Sequence, residues 1–265
     1  MSFNRLPGFW GPCLASLLAL REAPAQPIDL TPYKLTAYYS NEFNSRQKII
    51  PERSLIEDGR RARRPPADAE WVSEGDGTAE IRGGRLQVTP RNSHMVVWNR
   101  NVFPADFLLD FQMRPNGSSS GLTIVFFCAA GVHGEDLFDL ALPPRRGNYP
   151  AYHSGAIANY SDSYWSRNTV EESLTNRMRR NPGFHLVAEA PSGTSGSSDV
   201  THRIRILKAG AHIEVEMDGK VLFRWDDPGK PLGAGRIGFR TMQGVKTISY
   251  GGLKVWKISP TPRNR

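Results

Sequence analysis

The chain has 265 residues, a formal net charge of +8 and only two cysteines. Two cysteines exclude a metal site built from a cysteine cluster, and no segment after residue 25 approaches the roughly 18 apolar residues of a membrane-spanning helix. The sequence has no GxSxG elbow, no P-loop and no GxGxxG with a βαβ context, so it does not favour the enzyme classes built on these motifs. The basic balance suits an anionic partner such as acidic polysaccharide. An even spread of charge over the surface is the alternative.

Residues 1–25 have the pattern of a secretory signal peptide. Arg5 supplies a positive start, residues 13–20 are apolar, and Ala23-Pro24-Ala25 fits an A-x-A cleavage site. The pattern predicts a secreted or periplasmic protein whose mature chain begins at Gln26. We expect no membrane span and no nucleic-acid partner, because neither an RNP-like nor a helix-turn-helix signal accompanies the positive charge.

Strand signals dominate the remaining sequence. Taken in chain order, apolar alternation or continuous apolar runs predict strands over 79–88 (with a turn at Gly83-Gly84), 94–103, 107–114, 122–129, 184–189, 202–207, 212–225 (with a turn at Asp218-Gly219), 236–240 and 247–258. Asp-Gly between alternating strands is the strongest short-range hairpin signal. One short helix is predicted over 169–180, where acidic residues come early and arginines late.

Many short strands separated by turns predict an all-β protein, a two-sheet antiparallel β-sandwich or jelly roll with one short helix. Residues 26–265 are expected to form one such domain, with the Pro- and Arg-rich residues 26–70 wrapping the sandwich. Cys128 lies within a continuous apolar run. Its surroundings predict a small buried residue rather than a nucleophile.

The stretch 126–155 combines the most chemistry. An apolar strand leads into a glycine turn, then into the acidic residues Glu135, Asp136 and Asp139, and finally into a loop rich in Arg, Tyr and His. Binding and catalytic groups are often presented in this way, on loops held by a rigid scaffold. The arrangement indicates a sugar-handling site without fixing the reaction.

Five motifs carry a family resemblance. They are GEDLFD (134–139), YPAYHSG (149–155), Ser163-Tyr164 with Arg167, GFHL (183–186) and GFRTM (238–242). Together they resemble the YesU-like family of the concanavalin A-like lectin/glucanase superfamily, over roughly residues 33–258. The resemblance implies a two-sheet jelly roll. The founding member lies among pectin-utilisation genes, which implies plant cell-wall or other acidic polysaccharide as the substrate class.

The first hypothesis is a polysaccharide lyase. Elimination across a uronic acid needs a base, an acid and a cation that neutralises the carboxylate. His153 is predicted as base or acid, Tyr164 as its partner, and Arg167 or Arg240 as the cation. Further predicted substrate-binding residues are Tyr149, Tyr152 and His185.

Two alternatives remain open. A glycoside hydrolase needs two carboxyl groups flanking the bond, for which Glu135, Asp136 and Asp139 are candidates. The same acids follow a glycine turn, so turn capping or a structural calcium ion competes with catalysis, and no other cofactor is expected. A non-catalytic sugar-binding module would instead use Trp98, Trp165 and Trp225 as stacking platforms, and Trp165, in a polar loop, is the one expected to be exposed.

Overall fold

A computed structural model describes residues 26–116, 122–167, 174–194 and 199–262. The strands are β1 Tyr33–Asn41, β2 Lys48–Pro51, β3 Ile56–Glu57, β4 Arg60–Arg61, β5 Ala69–Glu74, β6 Gly77–Arg82, β7 Arg85–Pro90, β8 Met95–Asn99, β9 Phe107–Pro115, β10 Thr123–Gly131, β11 Ile157–Arg167, β12 Leu174–Asn181, β13 His185–Pro191, β14 His202–Ala209, β15 His212–Met217, β16 Lys220–Asp226, β17 Arg236–Thr241 and β18 Ile248–Pro260. A 3₁₀ turn spans Glu52–Leu55, and the helix α1 spans Pro150–His153. No helix within these ranges is long and apolar enough to cross a membrane.

Two large sheets form a sandwich. Sheet A has the order β16-β15-β14-β9-β18-β7-β6, with β1 also paired to β18. Sheet B has the order β13-β12-β11-β10-β17-β8-β5-β2, and β3 and β4 form a separate hairpin. All pairings are antiparallel except the one between β2 and β5. The predicted two-sheet antiparallel β-sandwich is confirmed.

The two turns predicted from glycine pairs and Asp-Gly are confirmed. Gly83 and Gly84 have φ values of 59° and 69°, and they join β6 to β7 with Arg82 opposite Arg85. Asp218 and Gly219 have φ values of 53° and 82° and join β15 to β16. Two successive positive φ values define the tight hairpin turn whose twist matches that of the flanking strands.

Two other predictions were wrong. Residues 174–181 of the predicted helix form strand β12, while residues 169–173 lie outside the described residues. The arginine-rich segment that suggested a helix instead forms a strand, which pairs with β11 on one side and β13 on the other. Residues 26–70 do more than wrap the sandwich, since β1 joins sheet A and β2 joins sheet B.

The main core lies between the two sheets and is rich in aromatic side chains. Phe239 of sheet B stacks on Tyr250 of sheet A with ring centroids 4.2 Å apart, and Phe111 lies 5.2 Å from Phe239. Cys128 is buried at the edge of this cluster, where burial raises the pKa of its thiol to about 12. A thiol protonated at neutral pH is a poor nucleophile, so the predicted structural role of Cys128 is confirmed.

One carboxyl group lies inside this core. Asp162 on β11 is fully buried beside Tyr164 and pairs across the strands with Val125 and Met178. Neither carboxylate oxygen makes a well-aligned hydrogen bond with the described residues. Burial raises the pKa of Asp162 to about 7, and the nearby Tyr164 hydroxyl opposes that shift.

The protein is therefore expected to lose stability as the pH rises through the range in which Asp162 is ionised in the unfolded chain but protonated in the folded one. Because the folded pKa lies above the unfolded value of about 3.9, folding takes up a proton, and stability falls with rising pH until the folded pKa is passed. The substitution Asp162→Asn removes this dependence of stability on pH. We expect its stability advantage over wild type to grow by up to about 1.4 kcal/mol per pH unit between about pH 4 and pH 7, then to level off.

Urea unfolding at a series of pH values measures this difference. Asp58→Asn is the matched control, because Asp58 is an exposed turn residue. A stability difference between Asp162→Asn and wild type that does not vary with pH would contradict the assigned role of the buried carboxyl group.

Only part of the outer face of sheet B is covered. The segment 132–153, here called the covering loop, lies over part of that face. A second apolar cluster forms there, where Trp98 and Phe126 of the sheet contact Leu137, Phe138 and Tyr152 of the covering loop. The rings of Phe126 and Tyr152 stack with centroids 5.7 Å apart. This loop ends in α1. Beyond it, the face formed by the outer side chains of β10, β11 and β12 is left open as a cleft.

Candidate functional site

Strand register sets a row of side chains across the outer face of sheet B. Arg240 on β17 pairs with Ile124 on β10, Ile124 pairs with Ser163 on β11, and Ser163 pairs with Arg177 on β12. Cross-strand partners point to the same face of a sheet. Met178 lies in the core between the sheets, so its neighbour Arg179 shares the outer face with Arg177.

These strands form the floor of the cleft. It has a volume of about 510 Å³, which is within the usual range for small-ligand sites. Aromatic rings and guanidinium groups dominate its lining, which consists of Leu122, Tyr149, Ser163, Trp165, Ser166, Leu174, Arg177, Arg179, Phe184 and Met242. An apolar wall with a few convergent cationic groups suits a ligand that has both a flat face and a negative charge.

Two arginines at the cleft are stacked on aromatic rings. The Arg179 guanidinium lies 4.3 Å from the centroid of the Phe184 ring, and that of Arg240 lies 4.0 Å from the centroid of Tyr149. Among the described residues, no carboxylate forms an ion pair with either arginine. Arg177 is different, because its Nε bonds Glu189 at 2.9 Å. Arg240 therefore leaves uncompensated positive charge beneath the cleft, and the charge of Arg179 is offset only in part by Glu189, which is bonded to Arg177.

Arg240 lies underneath the cleft surface. Its side chain is 1% exposed, its Nε and Nη1 atoms have no acceptor in the described structure, and the Tyr149 ring covers it. Burial lowers its pKa to about 10, so the guanidinium remains charged at neutral pH. Arg179 is only half-buried and lines the cleft directly. An anion in the cleft would thus contact Arg179 and experience the field of Arg240 from below.

The loop that carries Tyr149 and His153 is held by close backbone contacts. Gly147 has φ 75°, and a Cβ atom built there would lie 2.2 Å from the His94 carbonyl oxygen, so only glycine fits. The next turn of the chain is α1, which ends at His153. The backbone N–H of Gly183 donates to the His153 carbonyl at 2.8 Å and brings Phe184 against the histidine.

His153 lies between the two aromatic rings. Its ring centroid is 4.4 Å from that of Phe184 and 4.5 Å from that of Tyr149. Nδ1 is 2.6 Å from the Ser154 hydroxyl, and Nε2 makes no hydrogen bond with the described residues. Partial burial lowers the pKa of His153, and the positive charges of Arg240 and Arg179 lower it further. In the tautomer whose Nδ1–H donates to the Ser154 hydroxyl, the unprotonated Nε2 of the neutral imidazole can accept a proton.

The pKa of Tyr149 shifts in the opposite direction to that of His153. Burial raises the pKa of its phenol, although Arg240 and Arg179 oppose the shift. The hydroxyl group consequently keeps its proton at neutral pH. Tyr149 and Arg179 line the cleft, and His153 packs against Tyr149. A proton acceptor, a proton donor and an unpaired guanidinium thus lie close together, as general acid–base chemistry requires.

A buried charge network supports the loop from below. Arg145 donates to both carboxylate oxygens of Glu74, at 3.1 and 2.5 Å, and the Tyr152 hydroxyl donates to Glu74 at 2.7 Å. The Arg145 guanidinium also lies 5.9 Å from the Trp98 ring. All four side chains are buried. The network fixes the covering loop just before Tyr149.

The sequence matches the family described as "Domain of unknown function (DUF1961)" over residues 61–255, which is most of the chain. The chain belongs to the DUF1961 family. A curated relative, "Uncharacterized protein YesU" of Bacillus subtilis (strain 168), is 33% identical over 189 residues. That alignment covers 68% of this chain and 86% of YesU. The resemblance to the YesU-like family is confirmed.

Solved structures agree on the fold of this DUF1961 chain. A Bacillus subtilis protein of unknown function with a galectin-like fold superimposes with a TM-score of 0.71 at 30% identity, covering 86% of this chain and all of that one. The carbohydrate recognition domain of Emp47p superimposes with a TM-score of 0.55 at 19% identity. That second alignment covers 84% of this chain and 97% of the Emp47p domain, and it shows a likeness of fold alone.

Four aromatic residues of the predicted site are buried, and of these Trp165 alone lines the cleft in the described structure. Tyr164 is fully buried in the core between the sheets, next to Asp162, because alternation along β11 turns it away from the outer face. Trp165 is also buried, at a bulge of β11 rather than in an exposed loop, and its Nε1 donates to Thr194 at 3.0 Å. Trp98 is buried under the covering loop, and Tyr152 belongs to that loop and packs on Trp98.

Two of the predicted residues have other outcomes. The side chain of Arg167 lies outside the described residues, so its predicted role stays a prediction. His185 is exposed on the edge strand β13, with its ring folded over Gly183, and it does not line the cleft.

The three predicted acidic residues are engaged away from the cleft. The Glu135 carboxylate accepts from the His133 N–H at 2.9 Å, and that of Asp136 accepts from the Phe138 N–H at 2.8 Å. The remaining contacts are Asp136 with Arg236 at 2.5 Å, and Asp139 with the Ala141 N–H at 3.0 Å and with Arg64 at 2.8 Å. The acids cap turns and pair with arginines. Within the described ranges, no group of three or more metal-ligating side chains is assembled.

The sequence analysis missed three residues of the cleft. Arg177 and Arg179 were assigned to a helix, although their spacing of two residues is the signal that places both on one face of a strand. Phe184 has φ 55°, an uncommon value for a residue with a large side chain. It lies within the GFHL motif, but only the tertiary contact with Arg179 reveals its role.

Proposed function

We propose that the cleft on the outer face of sheet B binds an acidic saccharide and cleaves it by β-elimination. The observation that carries the proposal is the pair of aromatic-stacked, unpaired arginines, Arg179 and Arg240, around the neutral His153. Buried arginines elsewhere in the fold have carboxylate partners, as Arg145 has in Glu74 and Arg61 in Glu52. An unpaired charge is costly unless a ligand compensates it.

Three observations support a saccharide as that ligand. Tyr149 and Phe184 present ring surfaces of the kind on which sugars stack. Ser163 adds a hydroxyl group at the floor. The fold is shared with the carbohydrate recognition domain of Emp47p, which supports the inference by analogy of fold. The basic net charge of the chain favours an acidic member of this class.

The residues assign the steps of an elimination. Arg179 binds the uronate carboxylate and makes the neighbouring C5 proton more acidic. Nε2 of His153 accepts that proton, and the electron pair of the C5–H bond forms the C4–C5 double bond as the C4–O4 bond breaks. The Tyr149 hydroxyl donates its proton to the departing O4. One product is a chain whose new non-reducing end is an unsaturated uronate. The other keeps O4 as the anomeric hydroxyl of its new reducing end.

Tyr149 takes the place that the sequence analysis gave to Tyr164. Arg179 takes the place of Arg240 as the direct carboxylate partner, because Arg240 is covered. Hydrolysis through Glu135, Asp136 and Asp139 is not favoured, because those carboxylates are already bonded to backbone N–H groups and arginines. Secretion, expected from residues 1–25, stays part of the proposal.

The experiment is a product assay on the purified protein with polygalacturonate, rhamnogalacturonan and glucuronan. Ultraviolet absorbance detects the unsaturated uronate, and a reducing-end assay detects any cleavage. Rising absorbance together with new reducing ends supports elimination. New reducing ends without absorbance indicate hydrolysis and overturn the elimination step. Binding without either signal reduces the function to a saccharide-binding module.

A further inference from the structure

A second histidine lies beside the cleft. His94 comes immediately before β8, and its ring meets the Tyr149 ring edge-on with centroids 6.2 Å apart. His153 packs on Tyr149 as well, so Tyr149 contacts two histidines. The sequence analysis gave His94 no role. Its position next to the proposed acid makes its protonation state important.

The backbone fixes the tautomer of His94. The N–H of Gln243 donates to Nδ1 of His94 at 2.9 Å. A nitrogen that accepts a hydrogen bond carries no proton, so the neutral ring must carry its proton on Nε2. Partial burial and then the charge of Arg240 lower the pKa of His94 to about 4. The ring is therefore neutral, with Nε2–H as a fixed donor, at neutral pH.

The same contact connects His94 to the cleft. Gln243 follows Met242, which lines the cleft. Both residues belong to a turn that is closed by a hydrogen bond of 3.2 Å from the Val245 N–H to the Met242 carbonyl. On the other side, the His94 carbonyl abuts Gly147 of the loop that carries Tyr149. His94 thus joins two walls of the site. Its Nε2 makes no hydrogen bond with the described residues.

We infer that His94 is a ligand-binding residue that donates its Nε2–H to an oxygen of the acidic saccharide beside Tyr149. The inference rests on the proposed function, because it takes the ligand of that site as its partner. His94 and His153 then have complementary tasks. His94 only donates, since its Nδ1 already accepts from Gln243, whereas His153 accepts the proton on Nε2 in the tautomer whose Nδ1–H donates to Ser154.

Two substitutions separate this role from a purely structural one. His94→Asn keeps an acceptor where Nδ1 meets the Gln243 N–H but has no donor at the position of Nε2. His94→Gln places an amide N–H near Nε2 and has no acceptor at the position of Nδ1. His133→Gln is the control, because His133 is exposed on another loop.

Calorimetric titration with oligogalacturonate is the test. We expect His94→Asn to bind about tenfold more weakly than wild type, because a hydrogen bond to a charged acceptor is lost. We expect His94→Gln and His133→Gln to stay close to wild type. Unchanged affinity in His94→Asn, or an equal loss in His94→Gln, would overturn the inference in favour of a structural role.

Nitrogen NMR of the histidine rings gives an independent readout. The inference predicts that His94 shows the Nε2–H tautomer throughout the neutral range and that its Nε2 signal shifts when oligogalacturonate is added. A bound ligand that leaves this signal unmoved overturns the role of His94 while the proposed function stands. If wild type does not bind oligogalacturonate, the proposed function fails for this ligand, whereas the tautomer is still decided by the spectrum.

Discussion

Replacing His153 by Ala is expected to lower the turnover number for the acidic saccharide by about 10²- to 10⁴-fold, the usual contribution of a general base. His153 packs against both Tyr149 and Phe184, and its Nε2 makes no hydrogen bond with the described residues. The affinity for the saccharide should change little, because Arg179 still holds the carboxylate. The measurement is the rate of unsaturated-uronate formation at saturating substrate.

The pH dependence of the same assay gives a second check. The pKa of His153 lies below its usual value of about 6.5, so the base stays deprotonated and active into mildly acidic solution. The rate should fall as the pH falls through that lowered value, and the fall should be absent from the residual rate of His153→Ala. His133→Ala is the control for loss of a surface histidine. A His153→Ala variant with wild-type turnover would remove the histidine from the mechanism.

Replacing Arg145 by Met is expected to lower the free energy of unfolding by about 3–5 kcal/mol, the usual cost of breaking a buried ion pair from one side. The substitution leaves the Glu74 carboxylate buried without its bidentate partner, with only the Tyr152 hydroxyl still donating to it. Glu52 lies in the same network, and burial and the charge of Glu74 raise the pKa of its carboxyl group. Loss of Arg145 therefore leaves two buried acids under the covering loop.

Denaturant unfolding measures this loss, with Arg64→Met as the matched control because Arg64 is mostly exposed in its pair with Asp139. The exposed pair is expected to contribute less than about 1 kcal/mol. Adding Glu74→Gln to Arg145→Met should restore part of the stability, because the uncompensated charge is removed. An Arg145→Met variant as stable as the Arg64→Met control would show that the network does not hold the loop.

Turn residues in the sequence correctly predicted two hairpins. Gly83-Gly84 and Asp218-Gly219 fix both the turn and the register, so two hairpins of sheet A follow from a few residues. β11 gave no such signal, because its inward positions include the polar Asp162 among tyrosines. β12 was taken for a helix, because its arginines follow two glutamates in the order that suits a helix dipole.

The candidate site was predicted in part, for a physical reason. Tyr149, His153 and Arg240 lie in motifs that suggested function, and the structure brings them together. Arg179 on β12 and His94, just before β8, are far from Tyr149 in the sequence. Sheet pairing brings Arg179 near Tyr149, and the close approach of His94 to Gly147 brings His94 near it. Tyr164 failed as a site residue because burial on the inner face depends on the alternation of a strand that the sequence did not reveal.

Calorimetric titration of wild type and Arg179→Gln with oligogalacturonate and with its carboxyl-reduced counterpart tests the central claim most directly. A charge-assisted hydrogen bond contributes about 1.5–3 kcal/mol. We therefore expect wild type to bind the charged ligand at least about tenfold more tightly than the reduced one, and Arg179→Gln to lose that preference. Equal binding of the two ligands by wild type, or an undiminished preference in Arg179→Gln, would contradict an acidic-saccharide site in this cleft.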